Sequence, residues 1–331
     1  MNPFAIAKPR DFAEASSLLQ DSRFKLPVLK AGGMDLVDHW KEGLTSPDLV
    51  IDVRRLRAAG ATAPIGADGD RIRIEAGATL DDIANSAELR SRAPVLPMAV
   101  ELAATPQVRN VASAAGNLLQ RPRCWYYRNE QFHCLKKGGA TCFALDGENQ
   151  YHAIFGEGPC YIVHPSNLAP ALFVCDGVVH LVGGDRASLP IADLYHTPDA
   201  GVRTEHNLKP GEVITHITLK PAPKSGFYAV KEKQSFDWPL VFAAVALELD
   251  GSTIKAARVC AGAVAPVPRP LPAVEKALVG AKIDDAASVR QACMKSVDGA
   301  QPMSQNAYKV KLLPVAVHRA VLGAAGRDVE A

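Results

Sequence analysis

The sequence predicts an α+β fold with mixed sheets. Three observations carry that assignment: a strand–glycine turn–helix–strand run over residues 26–53, a hairpin signal at Asp250-Gly251, and helix-period patterns that return near the C-terminal end. The chain has 331 residues, 48% of them hydrophobic, with a mean hydropathy near zero and a formal net charge of +2. That is enough chain for a large core and for two or three domains. So even a charge balance argues against nucleic acid or membrane lipid as the main partner, since either favours a strong basic excess. No stretch approaches the roughly 20 consecutive apolar residues of a spanning helix, so no membrane span is expected. Residues 1–10 carry no long apolar core and do not read as a secretory signal. On these grounds alone the protein is expected to be soluble and cytoplasmic.

The elements follow in order. Residues 26–30 form a short apolar run that ends on Ala31-Gly32-Gly33. Residues 35–43 then place Leu36, Val37 and Trp40 on one helical face, and residues 49–53 read as a second strand. A unit of this length is expected to be parallel and right-handed. Ile72 and Ile74 alternate with Arg71, Arg73 and Glu75, which predicts another strand. Thr79, with Asp82 three residues later, is a capping box for a helix through Leu80 and Ile83. Beyond residue 160 the chain is expected to turn to β structure. Asp176-Gly177 separates the apolar stretches 172–175 and 178–182, residues 213–219 alternate, and Asp250-Gly251 separates 241–249 from 253–262. Pro221-Ala222-Pro223 cannot continue a ladder and is the candidate linker. Helical segments are expected around 274–279 and 307–324, the second kinked or started at Pro314.

Two loops carry the candidate binding chemistry. Lys30-Ala31-Gly32-Gly33-Met34-Asp35-Leu36 puts two glycines between a strand and a helix start, where backbone N–H groups can meet an anion such as a diphosphate. A lone Gly-Gly is as readily a plain tight turn, and the run is neither a GxGxxG fingerprint nor a P-loop. The second loop runs from Thr105-Pro106-Gln107-Val108-Arg109-Asn110 into Val111-Ala112-Ser113-Ala114-Ala115-Gly116-Asn117. Its small residues are poor core material but permit backbone approach to a bulky cofactor.

This pair of loops resembles the FAD-binding subunit of the xanthine dehydrogenase (molybdenum hydroxylase) family, where the patterns run close to A-G-G-T-D-L and R-N-x-A-T-x-G-G-N. The resemblance spans essentially the whole chain, through His164-Pro165-Ser166-Asn167, the strand at 228–231 and Gly262-Ala263-Val264-Ala265-Pro266. It is nearest to the flavin subunit of bacterial periplasmic-type aldehyde oxidoreductases. It implies a two-part FAD-binding domain over residues 1–222, with a small βαβ subdomain (1–57) and a larger mixed-sheet subdomain (58–222). A smaller C-terminal α+β domain of the CO-dehydrogenase flavoprotein type would follow over 223–331. It further implies that Leu29, Lys30, Ala31, Gly32, Gly33, Met34, Asp35 and Leu36 wrap the FAD diphosphate. Thr105, Asn110, Ser113, Ala115, Gly116 and Asn117 would make the second phosphate and ribityl contact, with Asn167 and Lys231 near the flavin. Asn167 stands where the family usually has aspartate, Met34 where Thr is common and Ala115 where Gly is common. An amide at 167 can still hydrogen-bond the cofactor but brings no charge.

Of seven cysteines, four lie close together in the segment 121–160, spaced C-x9-C-x7-C-x17-C at Cys124, Cys134, Cys142 and Cys160. Four thiolates can ligate a [4Fe–4S] cluster or a zinc ion, and the close C-x2–4-C pairs usual for zinc are absent. Arg121, Arg123, Arg128, Lys136 and Lys137 surround them and would offset an anionic cluster. From the spacing alone, unligated cysteines, zinc and iron–sulfur all remain open. The resemblance implies a [4Fe–4S] cluster, because only some flavin subunits of the family carry such an insert and there it binds that cluster. Cys175, Cys260 and Cys293 have apolar neighbours and read as core. His133 and His152 are alternative ligands or hydrogen-bonded histidines, and Trp125-Tyr126-Tyr127 is an aromatic patch for the cluster, the flavin or a subunit interface.

No Ser–His–Asp set, HExxH motif or carboxylate pair with a motif around it occurs, so no catalytic residue is assigned for breaking bonds of an organic substrate. The resemblance implies an oxidoreductase subunit in a heterotrimer that can dimerise. A large molybdenum-cofactor subunit would hydroxylate an aldehyde or N-heterocycle, and a small subunit with two [2Fe–2S] clusters would pass electrons to FAD here and on to an external acceptor. Related complexes are exported folded on a partner's signal, which makes a periplasmic location compatible with the absence of one. The alternatives are a stand-alone FAD-dependent reductase and a zinc-binding, non-redox scaffold.

Overall fold

The computed structural model describes residues 2–156 and 158–329. Three sheets organise the chain. The first is parallel, with strands β1 (Ala5–Ala7), β2 (Pro27–Lys30) and β3 (Leu49–Asp52) in the order β1-β3-β2. The expected parallel unit is therefore present, and β1 adds a third strand that is too short to show a period in the sequence. Leu49, Val50 and Ile51 are buried, as the central strand of a parallel sheet requires.

The second sheet is antiparallel, in the order β4-β5-β8-β6-β7. Its strands are β4 (Ile65–Asp68), β5 (Arg71–Glu75), β6 (Val178–Val182), β7 (Ser188–Pro190) and β8 (Val213–Leu219). Ile72, Ile74, Val179 and Ile217 are fully buried on its inner face. The helix Leu80–Asn85 opens with a full capping box. Thr79 Oγ1 accepts the Asp82 N–H at 2.9 Å, and Asp82 Oδ2 accepts the Thr79 N–H at 2.7 Å. One expectation fails here. The apolar run before Asp176-Gly177 is a helix, Leu168–Val174, with six of its seven residues buried. An apolar run enclosed on all sides has no polar face, so neither period can be read from it. Asp176 takes φ +50° to turn the chain into β6.

The third sheet is antiparallel, in the order β12-β11-β10-β9, with β9 (Ser225–Val230), β10 (Val241–Asp250), β11 (Thr253–Gly262) and β12 (Arg269–Pro270). The Asp250-Gly251 turn joins β10 to β11 as expected, with Gly251 at φ +58°. The helix Tyr308–Ala324 lies across β9 and β10 and runs through Pro314 instead of starting there. Its first turn is anchored by Lys309, whose buried ammonium donates to the Tyr151 and Ala263 carbonyls at 2.9 and 2.8 Å.

Two hydrophobic cores result. One joins the first two sheets, the helices between them and one face of the third sheet (Phe227, Phe242, Ala244, Cys260); the other lies between the opposite face of that sheet and its helices. Ile154 and Phe155, from the cysteine-bearing segment, pack in the second core. Among the described residues no helix is long and apolar enough to cross a membrane.

Candidate functional site: a glycine-walled cleft beside a four-cysteine cavity

The loop after β2 and the loop before the helix Ala114–Leu118 meet backbone to backbone. A Cβ on Gly32 would lie 2.0 Å from the Val111 carbonyl oxygen, so the two loops can close only on glycine. Gly33, at φ +80°, makes the turn that follows. Among the described residues, no backbone N–H of residues 31–35 finds an acceptor within the protein. Five consecutive free donors in a partly enclosed loop are matched to an anion. The adjoining helices, Leu36–Lys41 and Ala114–Leu118, have six and five residues. It is the individual N–H groups, more than a long macrodipole, that would hold the charge.

These loops line one cleft of about 780 Å³, inside the ~300–1,000 Å³ range of small-molecule and cofactor sites. Leu29, Lys30, Ala31, Gly32, Gly33, Met34, Asp35, Leu36, Thr105, Ser113, Ala115, Gly116, Asn117 and Asn167 all border it. Ser113 Oγ caps its helix by accepting the Gly116 N–H at 3.2 Å, and Asn117 Oδ1 accepts the Ser166 hydroxyl at 2.6 Å. Asn167 is buried and donates Nδ2 to the Ala99 carbonyl at 3.1 Å, leaving its carbonyl oxygen for a ligand. His164, beneath this loop, is fully enclosed against the Tyr195 ring; burial lowers it to about 3, so it is neutral and structural.

Two expected residues lie off the cleft. Asn110 is exposed at the end of the short helix Pro106–Arg109, where it turns the chain. Lys231 stands at the rim, its ammonium donating to the carbonyl of Leu102, which does line the cleft. Other lining residues escaped the sequence reading. Arg121 and Arg123, read there as neighbours of the cysteines, border this cleft, as do Phe236, Asp237 and Trp238 from the loop between β9 and β10. Arg123 lies over the Trp238 ring at 5.0 Å and pairs with Asp35 at 3.0 Å.

The four cysteines of the 121–160 segment border a second, much smaller cavity of about 10 Å³, together with Tyr126, Tyr127, Lys136, Phe143 and His152. That is about the room of one water. Backbone N–H groups point at the sulfurs: Tyr126 and Tyr127 to Cys124, Ala144, Leu145 and Tyr161 to Cys142, and Ile162 to Cys160. The Cys160 thiol donates to Cys142, which holds Cys142 below the usual thiol range and Cys160 above it; burial pushes Cys124 up to about 11. His152 Nε2 sits 3.3 Å from the Cys124 sulfur. His133 is not part of the cavity wall. Among the described residues no group of three or more His, Cys, Asp or Glu side chains is arranged to hold a metal ion. Tyr127, 3% exposed, borders both the cleft and the cysteine cavity. Lys136, beside the cysteines, is buried on Glu205 at 2.6 Å, and Glu205 also holds Arg121 at 3.0 Å.

Comparison with known proteins places this architecture. Residues 2–222 match the model of the FAD binding domain in molybdopterin dehydrogenase, and residues 226–324 match that of the CO dehydrogenase flavoprotein C-terminal domain. The aldehyde oxidoreductase FAD-binding subunit PaoB of Escherichia coli (strain K12) is 34% identical over 321 residues, covering 94% of this chain and 95% of the relative. The carbon monoxide dehydrogenase medium chain of Afipia carboxidovorans is 25% identical, over 98% of this chain and 97% of its own. Among solved structures, the Cu,Mo-CO dehydrogenase aligns with a TM-score of 0.75 at 21% identity over 99% of this chain and 100% of that one. Quinoline 2-oxidoreductase from Pseudomonas putida 86 aligns at 0.74 and 19%, over 98% of each. At those identities the structural likeness speaks for the fold alone.

Proposed function

The chain belongs to the FAD-binding subunits of the molybdopterin dehydrogenases, a flavoprotein oxidoreductase family, and on that premise we propose how its two cavities are used. FAD lies in the cleft with its diphosphate against the N–H groups of residues 31–35 and its ribityl and flavin portions toward Ser113, Asn117 and Asn167. The observation that carries this reading is the run of five unpartnered donors in a cleft of cofactor size that Ser113 and Asn117 also border. When bound, FAD supplies exchange between one-electron and two-electron carriers. The residues of this chain bind and orient it. Gly32 lets the loops close, Arg121 and Arg123 offset nearby carboxylates, and Phe236 and Trp238 border the cleft from the loop between β9 and β10.

The same proposal gives Cys124, Cys134, Cys142 and Cys160 a [4Fe–4S] cluster, which would supply a one-electron site. Its support is the arrangement of the four sulfurs around one cavity, the N–H donors aimed at three of them and the buried Lys136 beside them; the cavity holds the volume of one water, so the sulfurs would have to part to admit the cluster. Apolar burial of four thiols alone would not call for those donors. Within the assembly, a large molybdenum subunit and a small [2Fe–2S] subunit are the partners proposed. Electrons would pass from the small subunit to this chain and on to an external acceptor.

The purified full chain decides the matter by its spectrum and its content of flavin, iron and inorganic sulfide. The expected result is a two-banded flavin spectrum over a broad absorption that dithionite bleaches, with iron and sulfide in equal amounts. A colourless chain holding zinc would overturn both assignments. A flavin spectrum without iron would overturn the cluster alone.

A further inference from the structure

The arginines of the cysteine-bearing segment close on the carboxylates that end the flavin loop. Arg128, its side chain 9% exposed, is the last residue of the short helix Trp125–Arg128, which starts on Cys124; its N–H donates to the Cys124 carbonyl at 2.9 Å. Its guanidinium reaches Asp35 at 2.8 Å and Asp38 at 3.0 Å, lies 3.6 Å from Glu42, and donates Nε to the Pro122 carbonyl at 2.8 Å. Asp35 receives two further groups from the same segment, Arg123 at 3.0 Å and the Arg121 N–H at 2.9 Å. Asp35 is also the last of the five residues whose N–H groups are unpartnered.

The segment itself is fixed from two other sides. Lys136 and Arg121 clamp Glu205. Residues of the C-terminal domain hold its far end: Asn306 donates to the His152 and Ala153 carbonyls at 3.1 Å, Tyr308 to that of Gln150 at 2.8 Å and Lys309 to that of Tyr151 at 2.9 Å. It is therefore a rigid piece wedged between the flavin loop and the second core.

We propose that the cysteine-bearing segment is a buttress for the flavin's diphosphate loop, with Arg128 as the positioning residue and its place set by Cys124 one helical turn earlier. Three carboxylates stand beside a loop meant for a diphosphate. Left unneutralised they would repel it, and Asp35 would be free to turn into the cleft. The planar fork of arginine spans Asp35 and Asp38 together, which a lysine ammonium cannot do with the same geometry. Iron held at Cys124 would thus stabilise FAD binding without touching FAD. The inference rests on the cleft being the FAD site, and its iron arm rests on the cluster.

The test is FAD titration of the deflavinated full chain, read by quenching of flavin fluorescence, with iron measured in parallel. Arg128→Gln is expected to raise the Kd for FAD at least tenfold with iron content unchanged, and Arg128→Lys to lie between. Adding Asp38→Asn to Arg128→Gln is expected to recover at least threefold, because it removes a carboxylate left with only its longer, 3.6 Å contact to Arg123; a purely structural role for Arg128 would give no such recovery. Arg128→Gln binding within twofold of wild type, or no recovery in the double variant, would overturn the proposal. Should Arg128→Gln fail to fold, wild-type chain stripped of iron by a chelator decides: an unchanged Kd refutes the buttress, a rise of tenfold supports it. A wild-type chain that binds no FAD refutes the cleft reading instead. One that never holds iron refutes the cluster and leaves the Arg128 comparison intact.

Discussion

Gly32→Ala isolates the contact on which the flavin cleft depends. Gly32 is not in the left-handed region, so alanine is compatible with its backbone, and the perturbation is steric alone. The added methyl would stand 2.0 Å from the Val111 carbonyl oxygen and 2.8 Å from its carbon. Ordinary contact requires the loops to part by about 1 Å, and neither atom belongs to a side chain that can swing aside. Overpacking of this kind costs on the order of 1–3 kcal/mol, which corresponds to roughly 5- to 150-fold in a dissociation constant. Because both loops border the ligand, most of that loss should fall on FAD affinity. The assay is FAD titration of the deflavinated chain, with Gly66→Ala as the control: that glycine has nothing within 4 Å of its would-be Cβ. Gly32→Ala should retain its iron, lose FAD on gel filtration and show a Kd raised at least fivefold. A Kd within twofold of the control would refute the loop–loop argument.

Further outcomes follow from the same geometry. On the proposed cluster, Cys142→Ser should lose iron, measured by metal analysis, since it removes the sulfur that takes the most N–H donors and the Cys160 hydrogen bond. Glu205→Gln leaves Lys136 and Arg121 partly unpaired, a loss of about 3 kcal/mol in chemical denaturation. Burial pushes the Glu205 carboxyl up, but Arg121 and Lys136 outweigh it and hold it below 4.5. The stability it contributes is present above pH 4.5 and is lost as pH falls through the depressed value, so Glu205→Gln should flatten that acid limb of the denaturation profile. Burial lowers His164 from 6.5 to about 3, so its contribution is complete above pH 6.5 and declines as pH falls from there toward 3. His164→Asn should therefore show a shallower fall between pH 6 and pH 4, followed by thermal melting.

Local chemistry was legible in the sequence wherever it acts over a few residues. The parallel unit at 26–53, the Thr79–Asp82 capping box and the Asp250-Gly251 hairpin depend on period, side-chain caps and turn torsion, and each is present. The helix Leu168–Val174 was missed because complete burial erases the polar face that distinguishes the two periods. The site divides along the same line. The loop 29–36 borders the cleft as its glycines suggested. Phe236 and Trp238 arrive from the other domain, about 200 residues later, with no local signal that they would. Arg121 and Arg123 read in the sequence as neighbours of the cysteines, but the fold also brings both to the wall of the cleft, where Arg123 pairs with Asp35. Asn110 was carried over by the motif alone, and the turn after Pro106–Arg109 leaves it exposed. Lys136 and Lys309, buried at 4% and 1%, contradict the usual fate of lysine, and only the carboxylate and carbonyl partners that the fold supplies explain them.

The account turns on where FAD is held, and a diffraction map of the FAD-loaded full chain tests that most directly. It should show the diphosphate in the cleft, within hydrogen-bond distance of the N–H groups of residues 31–35. Diphosphate density anywhere else, with that loop left without a ligand, would contradict the account.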